Sequence, residues 1–452
     1  MTQSDPPRRY RRILRWCRNG ALCAVLSYAL LAFLALNLSP APDAVRSASV
    51  LELPLRRPAS SADLRATPVG ETRFTVLRGV LSVHTGRSHD AEGTLHDVAI
   101  AARNTELDFV VTGDHPGDWT EGGEEVMAPR RQEGVLVVPG LELAIPGVGR
   151  TLAVGLDTLP RRWFGPVEAL VHRADSLQAF LSVVHPRSPR DGERWEGLEA
   201  AGFHAWESFD VSEMVRFRLR EPWAAYHLAS FAGGLVLGGG EGSLTALWRE
   251  KTETPALLSY DSVRARQPAT LTGGLNHHPK ARLGGLLIPR YEPFFRTVVN
   301  HVLVPGRPSV DPMDASAELL DALRAGRLFV TLGDPDGAEG FRMHGLGEGD
   351  REVEMGDGLA WTPVGRLRLT LPSGVRGDLL VRILRDGEED AWLEAAPGET
   401  LVWLARTPGV YRVEVFRGGV RLGGARVGFR PWILSNPVEF YRDGTDRLAL
   451  EP

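Results

Sequence analysis

Cysteine is nearly absent from this chain. Its 452 residues include only Cys17 and Cys23, and both lie near the N-terminus. The rest of the chain can therefore form neither a disulfide nor a metal site built from thiolates. Any metal ion bound there must be held by imidazole and carboxylate groups.

The main body also lacks an excess of positive charge. The first twenty residues hold six of the 52 lysines and arginines and one of the 57 acids, which leaves 46 basic and 56 acidic residues in the remainder. Because nucleic-acid binding needs a basic surface, we expect no nucleic-acid partner.

One long uncharged run is present, at residues 21–38 (ALCAVLSYALLAFLALNL). As a helix it would be about 27 Å long, close to the thickness of a bilayer core. The six preceding arginines predict a cytoplasmic N-terminus, with the main body extracytoplasmic, in the periplasm. A cleaved signal peptide is the alternative, but the length of the run and the lack of a following A-x-A site favour an uncleaved single-pass anchor.

The composition and residue pattern of the remaining chain change twice. Residues 39–72 are rich in Ala, Pro, Ser and Arg without a sustained period, which is typical of a linker. Strand and helix signals then alternate, which predicts an α/β domain with a parallel sheet or barrel. From about Gly340 the runs alternate apolar and polar residues between turn signals, which predicts a small antiparallel β-sandwich. The expected organisation is a basic tail (1–20), a transmembrane anchor (21–38), a linker (39–72), a barrel domain (73–338), and a β-sandwich with its tail (339–452).

Histidines and acids follow several of the apolar runs in the α/β part. A strand signal ends at His84, a helical segment follows, and a second strand signal ends at Asp114 and His115. Loops at the carboxyl ends of barrel strands converge, so residues in these positions are expected to meet. The full set of such residues is His84, His89, Asp90, Asp114, His115, Glu142, His185 and His278.

This mixture of imidazoles and carboxylates is suited to divalent metals that activate water. The set is larger than one ion needs, which indicates a cluster of two or three ions in which Glu142 could be shared. The alternative without a function is that these are unrelated loop residues.

The order of the motifs resembles the PHP (polymerase and histidinol phosphatase) superfamily of metallohydrolases, particularly its carbaryl-hydrolase-like branch. Members carry L-H-x-H-T, S-D-G, T-D-H, G-x-E, H-P and G-x-D-A-H. This chain has, in the same order, LSVHT at 81–85, SHD at 88–90, TGDH at 112–115, GLE at 140–142, HP at 185–186 and GLNHH at 274–278. The resemblance runs from about Leu77 to Val438. It implies a distorted (β/α)7 barrel with up to three divalent ions, Zn²⁺ or Mn²⁺, that hydrolyses phosphate esters or, in this branch, carboxylic or carbamic esters.

The resemblance implies metal ligands at His84, His115, Glu142, His185 and His278. Some positions depart from the family pattern. Ser82 replaces the first histidine of H-x-H, Asn276 replaces the late aspartate, and Arg150 and Thr151 lie near the place of another histidine. These losses predict one or two ions rather than three. His277 and His89 could rebuild part of the site. Asp90, beside His89, and Asn276 are further candidate metal ligands, and Asp114 and His277 are the catalytic candidates.

Two classes of function remain open at this point. In the first, the chain is a membrane-anchored metal-dependent hydrolase acting on a small-molecule ester or phosphoester. In the second, the barrel is an inactive relative that serves as a binding or scaffolding module outside the membrane. The five matching positions favour the enzyme, and the lost charges favour the inactive module.

Overall fold

The structure is a computed structural model. It describes residues 21–32, 66–69, 72–116, 127–156, 165–196, 202–218, 222–227, 255–283, 286–333, 335–422 and 425–442, together with residues 163, 220 and 229. The predicted basic tail and most of the predicted linker lie outside these ranges.

A helix covers residues 21–32 at the start of the predicted membrane anchor. Within the ranges that the structure describes, no helix is both long enough and apolar enough to cross a bilayer. Residues 33–38 of the predicted span lie outside those ranges, so the anchor stays a prediction.

The first part of the described chain is α/β. The strands are β1 (Ala66–Val69), β2 (Thr72–Val83), β3 (Phe109–Thr112), β4 (Arg130–Gln132), β5 (Val135–Val138), β6 (Gly140–Ile145), β7 (Gly149–Val154), β8 (Phe180–Val184), β9 (Ala205–Asp210), β10 (Thr270–His277), β11 (Ala281–Leu283), β12 (Leu286–Ile288), β13 (Val298–Pro305) and β14 (Leu328–Leu332). Strand β1 pairs with β2, so residues 66–69 of the predicted linker belong to the sheet.

Strand pairing in this part follows a circuit that returns to β2. Strand β2 pairs in parallel with β3 and with β10, and β10 continues in parallel through β9 to β8. Antiparallel β7 lies between β8 and β6, and a bridge between Asp114 and Leu141 links β6 back to the end of β3. The runs of Val, Leu and Phe in β3, β5 and β8 are buried along their whole length, as expected for strands covered on both faces.

Helices connect and cover these strands. They are α1 (Leu95–Asn104), α2 (Val167–Ser176), α3 (Val211–Arg218), α4 (Pro255–Arg264), α5 (Glu292–Phe295) and α6 (Pro312–Arg324). Helix α1 starts with a reciprocal capping box between Thr94 and Asp97. Asp311 caps helix α6, because its side chain accepts the backbone N–H groups of Met313 and Asp314, and Pro312 follows at the first helical position.

The C-terminal part is all β. Its strands are β15 (Arg342–Leu346), β16 (Glu352–Glu354), β17 (Gly358–Ala360), β18 (Arg366–Thr370), β19 (Leu379–Arg385), β20 (Glu388–Ala395), β21 (Thr400–Leu404), β22 (Gly409–Leu422), β23 (Ala425–Ser435) and β24 (Val438–Tyr441). Strands β16, β15, β18 and β21 form one antiparallel sheet. In the other layer, β19 pairs antiparallel with β20 and β22, and β22 with β23 and β24.

The two parts share both a sheet and a core. Strand β14 pairs with β23, so backbone hydrogen bonds cross the predicted boundary between residues 338 and 339. The C-terminal core cluster also contains Phe74, Val76 and Leu303 from the first part. A buried ion pair adds to this junction, because the guanidinium of Arg412 donates twice to the carboxylate of Asp261 in α4, at 2.6 Å each.

Candidate metal centre

The ends of three strands in the circuit have an unusual backbone. Ser82, His185 and Asn276 have φ values of 58°, 52° and 45°, in the left-handed region that residues other than glycine rarely adopt. The register shifts beside Ser82 in β2 and beside Asn276 in β10. Such strain persists where the surrounding structure fixes it and clusters at functional sites. The unusual backbone conformation is therefore present even at Ser82 and Asn276, where the expected ligands are missing.

Glu142 lies at the centre of the imidazoles at this edge of the sheet. Its Oε2 is 3.4 Å from Nε2 of His84 and 3.6 Å from Nε2 of His185. Its Oε1 is 3.9 Å from Nδ1 of His115. The carboxylate is almost fully buried, with 2% of the side chain exposed. One carboxylate is thus placed between three histidines from three different strand ends.

His278 and Asp90 complete one side of the cluster. Strands β2 and β10 are parallel neighbours, so the ring of His278 stacks on the ring of His84 with centroids 3.8 Å apart. Asp90 Oδ2 lies 3.0 Å from Nδ1 of His278 and 3.8 Å from Nε2 of His115. His84, Asp90 and His115 can each offer one ligand atom, and these atoms lie within 4.8 Å of one another.

These separations fit a shared cation. Two ligands that are each about 2.1 Å from an ion at a tetrahedral angle are about 3.4 Å apart. Nε2 of His84, Oδ1 of Asp90 and Nδ1 of His278 are buried without a hydrogen-bond partner in the part of the chain that the structure describes. Buried polar atoms of this kind are costly unless something binds them, and a divalent ion would do so.

Neighbouring side chains hold two of the rings in a suitable orientation. Nδ1 of His84 lies 3.1 Å from the hydroxyl of Ser88, which leaves Nε2 facing Glu142. Nε2 of His278 lies 2.6 Å from Oδ1 of Asn276, which leaves Nδ1 facing Asp90. Metal-binding histidines commonly donate their other N–H to such a partner. Asn276, predicted as a weak ligand, instead orients His278, and its own Nδ2 donates to the Ser212 hydroxyl at 2.9 Å.

A second group of acids surrounds the far side of His185, and sequence reasoning missed it. Nδ1 of His185 is 2.7 Å from Oδ2 of Asp210 and 3.8 Å from Oε1 of Glu213. Glu207 Oε2 accepts the backbone N–H of His185 at 3.0 Å. The available signal was the segment ESFDVSE at 207–213, in which Glu207 and Asp210 lie in β9 and Glu213 lies in the first turn of α3.

Burial and mutual charge set the protonation of the site. Burial lowers the pKa of His84 to about 4. Burial alone would raise the pKa of Glu142, but His185 and His84 outweigh it and hold this pKa well below its usual value. Burial alone would lower the pKa of His185, but Asp210 and Glu142 raise it well above its usual value. Burial and the charge of Asp210 raise the pKa of Glu213 to about 8. Positive charge therefore stabilises the carboxylate of Glu142, whereas burial and the charge of Asp210 favour the protonated form of Glu213.

Arg150 supplies one positive charge. In the β6–β7 pair, Glu142 lies opposite Leu152, so Arg150 is its diagonal neighbour on the same face. Nη1 of Arg150 donates to Oε1 of Glu142 at 2.6 Å. The guanidinium therefore lies directly against the carboxylate at the centre of the cluster.

Asp114 and His277, the predicted catalytic candidates, have other partners. Both carboxylate oxygens of Asp114 accept from Thr85, one from its N–H at 2.6 Å and one from its hydroxyl at 2.9 Å. Burial raises the pKa of Asp114 to about 6. The ring of His277 packs 3.9 Å from that of Phe294 and 5.3 Å from that of Tyr291. His278, and not His277, contacts His84 and Asp90, so a role of His277 in rebuilding the site stays a prediction.

His89 is at the rim rather than in the cluster. It is exposed, and its ring centroid lies 5.3 Å from that of His115. Its neighbour Asp90 points inward and contacts His278. Of the two residues that the sequence offers at this loop, Asp90 therefore lies in the cluster and His89 lies outside it.

Comparisons with known proteins give structural neighbours only. No family model matches the sequence, and no curated protein sequence matches it. A two-domain protein from Bacteroides vulgatus, described as containing a predicted PHP-like metal-dependent phosphoesterase, aligns over 79% of this chain and 95% of its own, with 11% identity and a TM-score of 0.35. PsfC from Pseudomonas syringae aligns over 54% of this chain and 88% of its own, with 15% identity and a TM-score of 0.31. A lesion-specific endonuclease from Pyrococcus furiosus aligns over 33% of this chain and 47% of its own, with 15% identity and a TM-score of 0.24.

Proposed function

We propose that this chain is a PHP-type, metal-dependent hydrolase whose substrates are esters, with phosphate esters as the first class and carboxylic or carbamic esters as the second. The observation that carries the proposal is the position of Glu142, whose carboxylate oxygens lie 3.4 to 3.9 Å from His84, His115 and His185. A shared, buried carboxylate between imidazoles is the arrangement that holds two neighbouring divalent ions in hydrolases.

The residues that would hold the metal are His84, Asp90, His115, Glu142 and His278. When bound, Zn²⁺ or Mn²⁺ would supply Lewis acidity and a nucleophile derived from water at neutral pH. Ser88 and Asn276 fix the histidine rings so that one nitrogen of each faces the site. Burial lowers the pKa of His84 and of His115, which favours the neutral form of these two rings, the form that can bind a metal.

Arg150 favours phosphate esters over neutral esters. Its guanidinium is held beside Glu142, and 24% of the side chain is exposed. A guanidinium has five N–H donors in a fork that matches the oxygens of a phosphate. We infer that the donors not used by Glu142 bind the phosphoryl oxygens and stabilise charge that develops on them during hydrolysis.

The position of Arg150 beside Glu142 also favours the alternative, an inactive binding module. A cation 2.6 Å from Oε1 of Glu142 neutralises part of the negative charge that a metal would use. In that case the pocket would bind an anionic ligand without turning it over. The hydrolase would show turnover that a chelator removes. The binding module would show no turnover and would need Arg150 to bind its ligand.

The test is a panel of chromogenic substrates with the full chain. Bis(p-nitrophenyl) phosphate, p-nitrophenyl phosphate and p-nitrophenyl acetate are each incubated with metal-free protein, with Mn²⁺ and with Zn²⁺. We expect metal-dependent release of p-nitrophenol from at least one phosphate ester and loss of that release with EDTA. A DNA oligonucleotide, single-stranded and duplex, should remain uncut because the body of the chain is acidic.

Two variants separate site chemistry from unfolding. His84→Ala removes a ring at the centre of the cluster and should abolish turnover. His344→Ala is the matched control, because His344 Nε2 also lies 3.4 Å from a buried glutamate, Glu354, but in the C-terminal β part. If EDTA leaves all activity in place, or if His84→Ala and the control have the same rate, the metal-dependent function is refuted.

A further inference from the structure

The two ring nitrogens of His185 face different acidic residues. Nε2 faces Glu142 at 3.6 Å, and Nδ1 faces Asp210 at 2.7 Å and Glu213 at 3.8 Å. All four residues are buried, with side-chain exposures of 3% or less. A neutral imidazole has one N–H and one lone pair, so the two sides of this ring have different roles.

The contact between His185 and Asp210 does not have hydrogen-bond geometry. Although Nδ1 and Oδ2 are 2.7 Å apart, each is a buried atom without a hydrogen-bond partner in the described ranges, and so is Oε1 of Glu213. Nδ1 of His185, Oδ2 of Asp210 and Oε1 of Glu213 thus face one another in a buried group. Two ligands of one cation have this relation, because each directs its lone pair at the ion and not at the other ligand.

Asp210 uses its two oxygens differently. Oδ1 accepts the backbone N–H groups of Ser212 at 2.6 Å and Glu213 at 3.0 Å, which caps helix α3. This cap fixes the carboxylate and directs Oδ2 at His185. Glu213 lies in the first turn of the same helix and is held on the same side. The end of β9 and the start of α3 thus present two carboxylate oxygens to one imidazole nitrogen.

We propose that His185 Nδ1, Asp210 Oδ2 and Glu213 Oε1 form a second site for a divalent cation, separate from the group built around His84, Asp90 and His115. The three atoms lie within 4.8 Å of one another. One imidazole and two carboxylates are a donor set for Mn²⁺ or Zn²⁺. His185 then donates Nε2–H toward Glu142, the pattern in which a metal-bound histidine is oriented by a carboxylate.

This second site changes how the losses at Ser82 and Asn276 are understood. Those substitutions weaken cation binding on the His278 side of the centre, and Asp210 and Glu213 add two carboxylates on the opposite side. The chain therefore keeps the capacity for two ions with a different distribution of ligands. This inference rests on the proposed metal-dependent function, because it extends the same centre.

The test measures metal binding and not activity. Full-length chain is stripped with a chelator, dialysed against Mn²⁺ or Zn²⁺ alone, and its metal content is measured by mass spectrometry, with affinities from calorimetric titration. We expect two ions per chain. Asp210→Asn keeps the helix cap but removes the charge, and Glu213→Gln keeps the shape. Each should lose one ion or bind it at least about 100-fold more weakly, because changes outside the ligand shell already cost 10- to 100-fold.

Controls make the outcomes separable. Asp311→Asn alters the cap of α6, where Asp311 likewise accepts two backbone N–H groups, and should keep both ions. His84→Ala should lose the other ion. If Asp210→Asn and Glu213→Gln retain both ions with unchanged affinity, or if the parent chain binds a single ion, the second site is refuted while the hydrolase proposal stands. If two ions bind and the variants lose one, but no ester is hydrolysed, the second site is supported and the proposed hydrolysis is refuted.

Discussion

The substitution Glu142→Gln tests the centre most directly. It keeps the size and planarity of the side chain and removes one negative charge from a buried position between three imidazoles. The amide also replaces an oxygen that could bridge two ions with an NH₂ group that cannot bind a cation. Every interaction that depends on the charge is lost, while the packing of β6 against β7 is retained.

The expected magnitude follows from the distances. Charges about 4 Å apart interact by about 4 kcal/mol at an effective dielectric constant of about 20, the value suited to protein sites. Each 1.36 kcal/mol changes a rate about tenfold. Losing two thirds of this interaction energy would therefore slow the reaction about 100-fold, and we expect kcat to fall by at least that factor. In the same variant Arg150 no longer faces a negative charge, and its uncompensated positive charge would further repel a cation.

The assay is the initial rate of p-nitrophenol release with saturating Mn²⁺, with the melting temperature measured in parallel. The matched control is Glu354→Gln, which removes the charge from a buried glutamate 3.4 Å from a histidine outside the centre. The control should keep its rate. A Glu142→Gln variant that melts normally, binds Mn²⁺ with unchanged affinity and turns over at the parental rate would refute the assignment of Glu142 as the shared carboxylate.

Three further outcomes are expected. Gly274→Ala should destabilise the fold by about 1–3 kcal/mol in denaturant unfolding, because its methyl group would lie 1.6 Å from Glu207 Oε1, whereas Gly347→Ala, with its nearest neighbour at 3.5 Å, should not. Burial lowers the pKa of His204 to about 4 from 6.5, so its contribution to stability is complete above pH 6.5 and is lost as pH falls toward 4, by at most about 3 kcal/mol. His204→Asn, whose amide oxygen can still accept the Leu181 N–H, should flatten that part of the pH profile, and an unchanged slope would contradict this. Removing metal with EDTA should lower the melting temperature, and Mn²⁺ at 100 times its Kd should restore about 2.7 kcal/mol per site; a chain equally stable without metal would argue against occupied sites.

Local patterns in the sequence were sufficient to predict the general architecture. Short runs of Val, Leu and Phe bounded by turn residues predicted the buried strands, and the apolar–polar alternation after Gly340 predicted the antiparallel C-terminal strands, because each depends on residues close together in the chain. The histidines and acids that follow those runs had to meet at one sheet edge if the strands were parallel. His84, Asp90, His115, Glu142, His185 and His278 do meet there.

Contacts that depend on register and on packing between distant segments were decided only by the tertiary structure. The irregular pairing of β10 with β2 directs His278 into the site and His277 against Phe294, although both residues are histidine. The register of β6 and β7 places Arg150 on Glu142. Asp210 and Glu213 carry no motif, and they join His185 because β9 lies beside β8 and α3 starts at that edge. The sequence alone determined which chemical groups are available, whereas strand register and helix position determined which of them lie side by side.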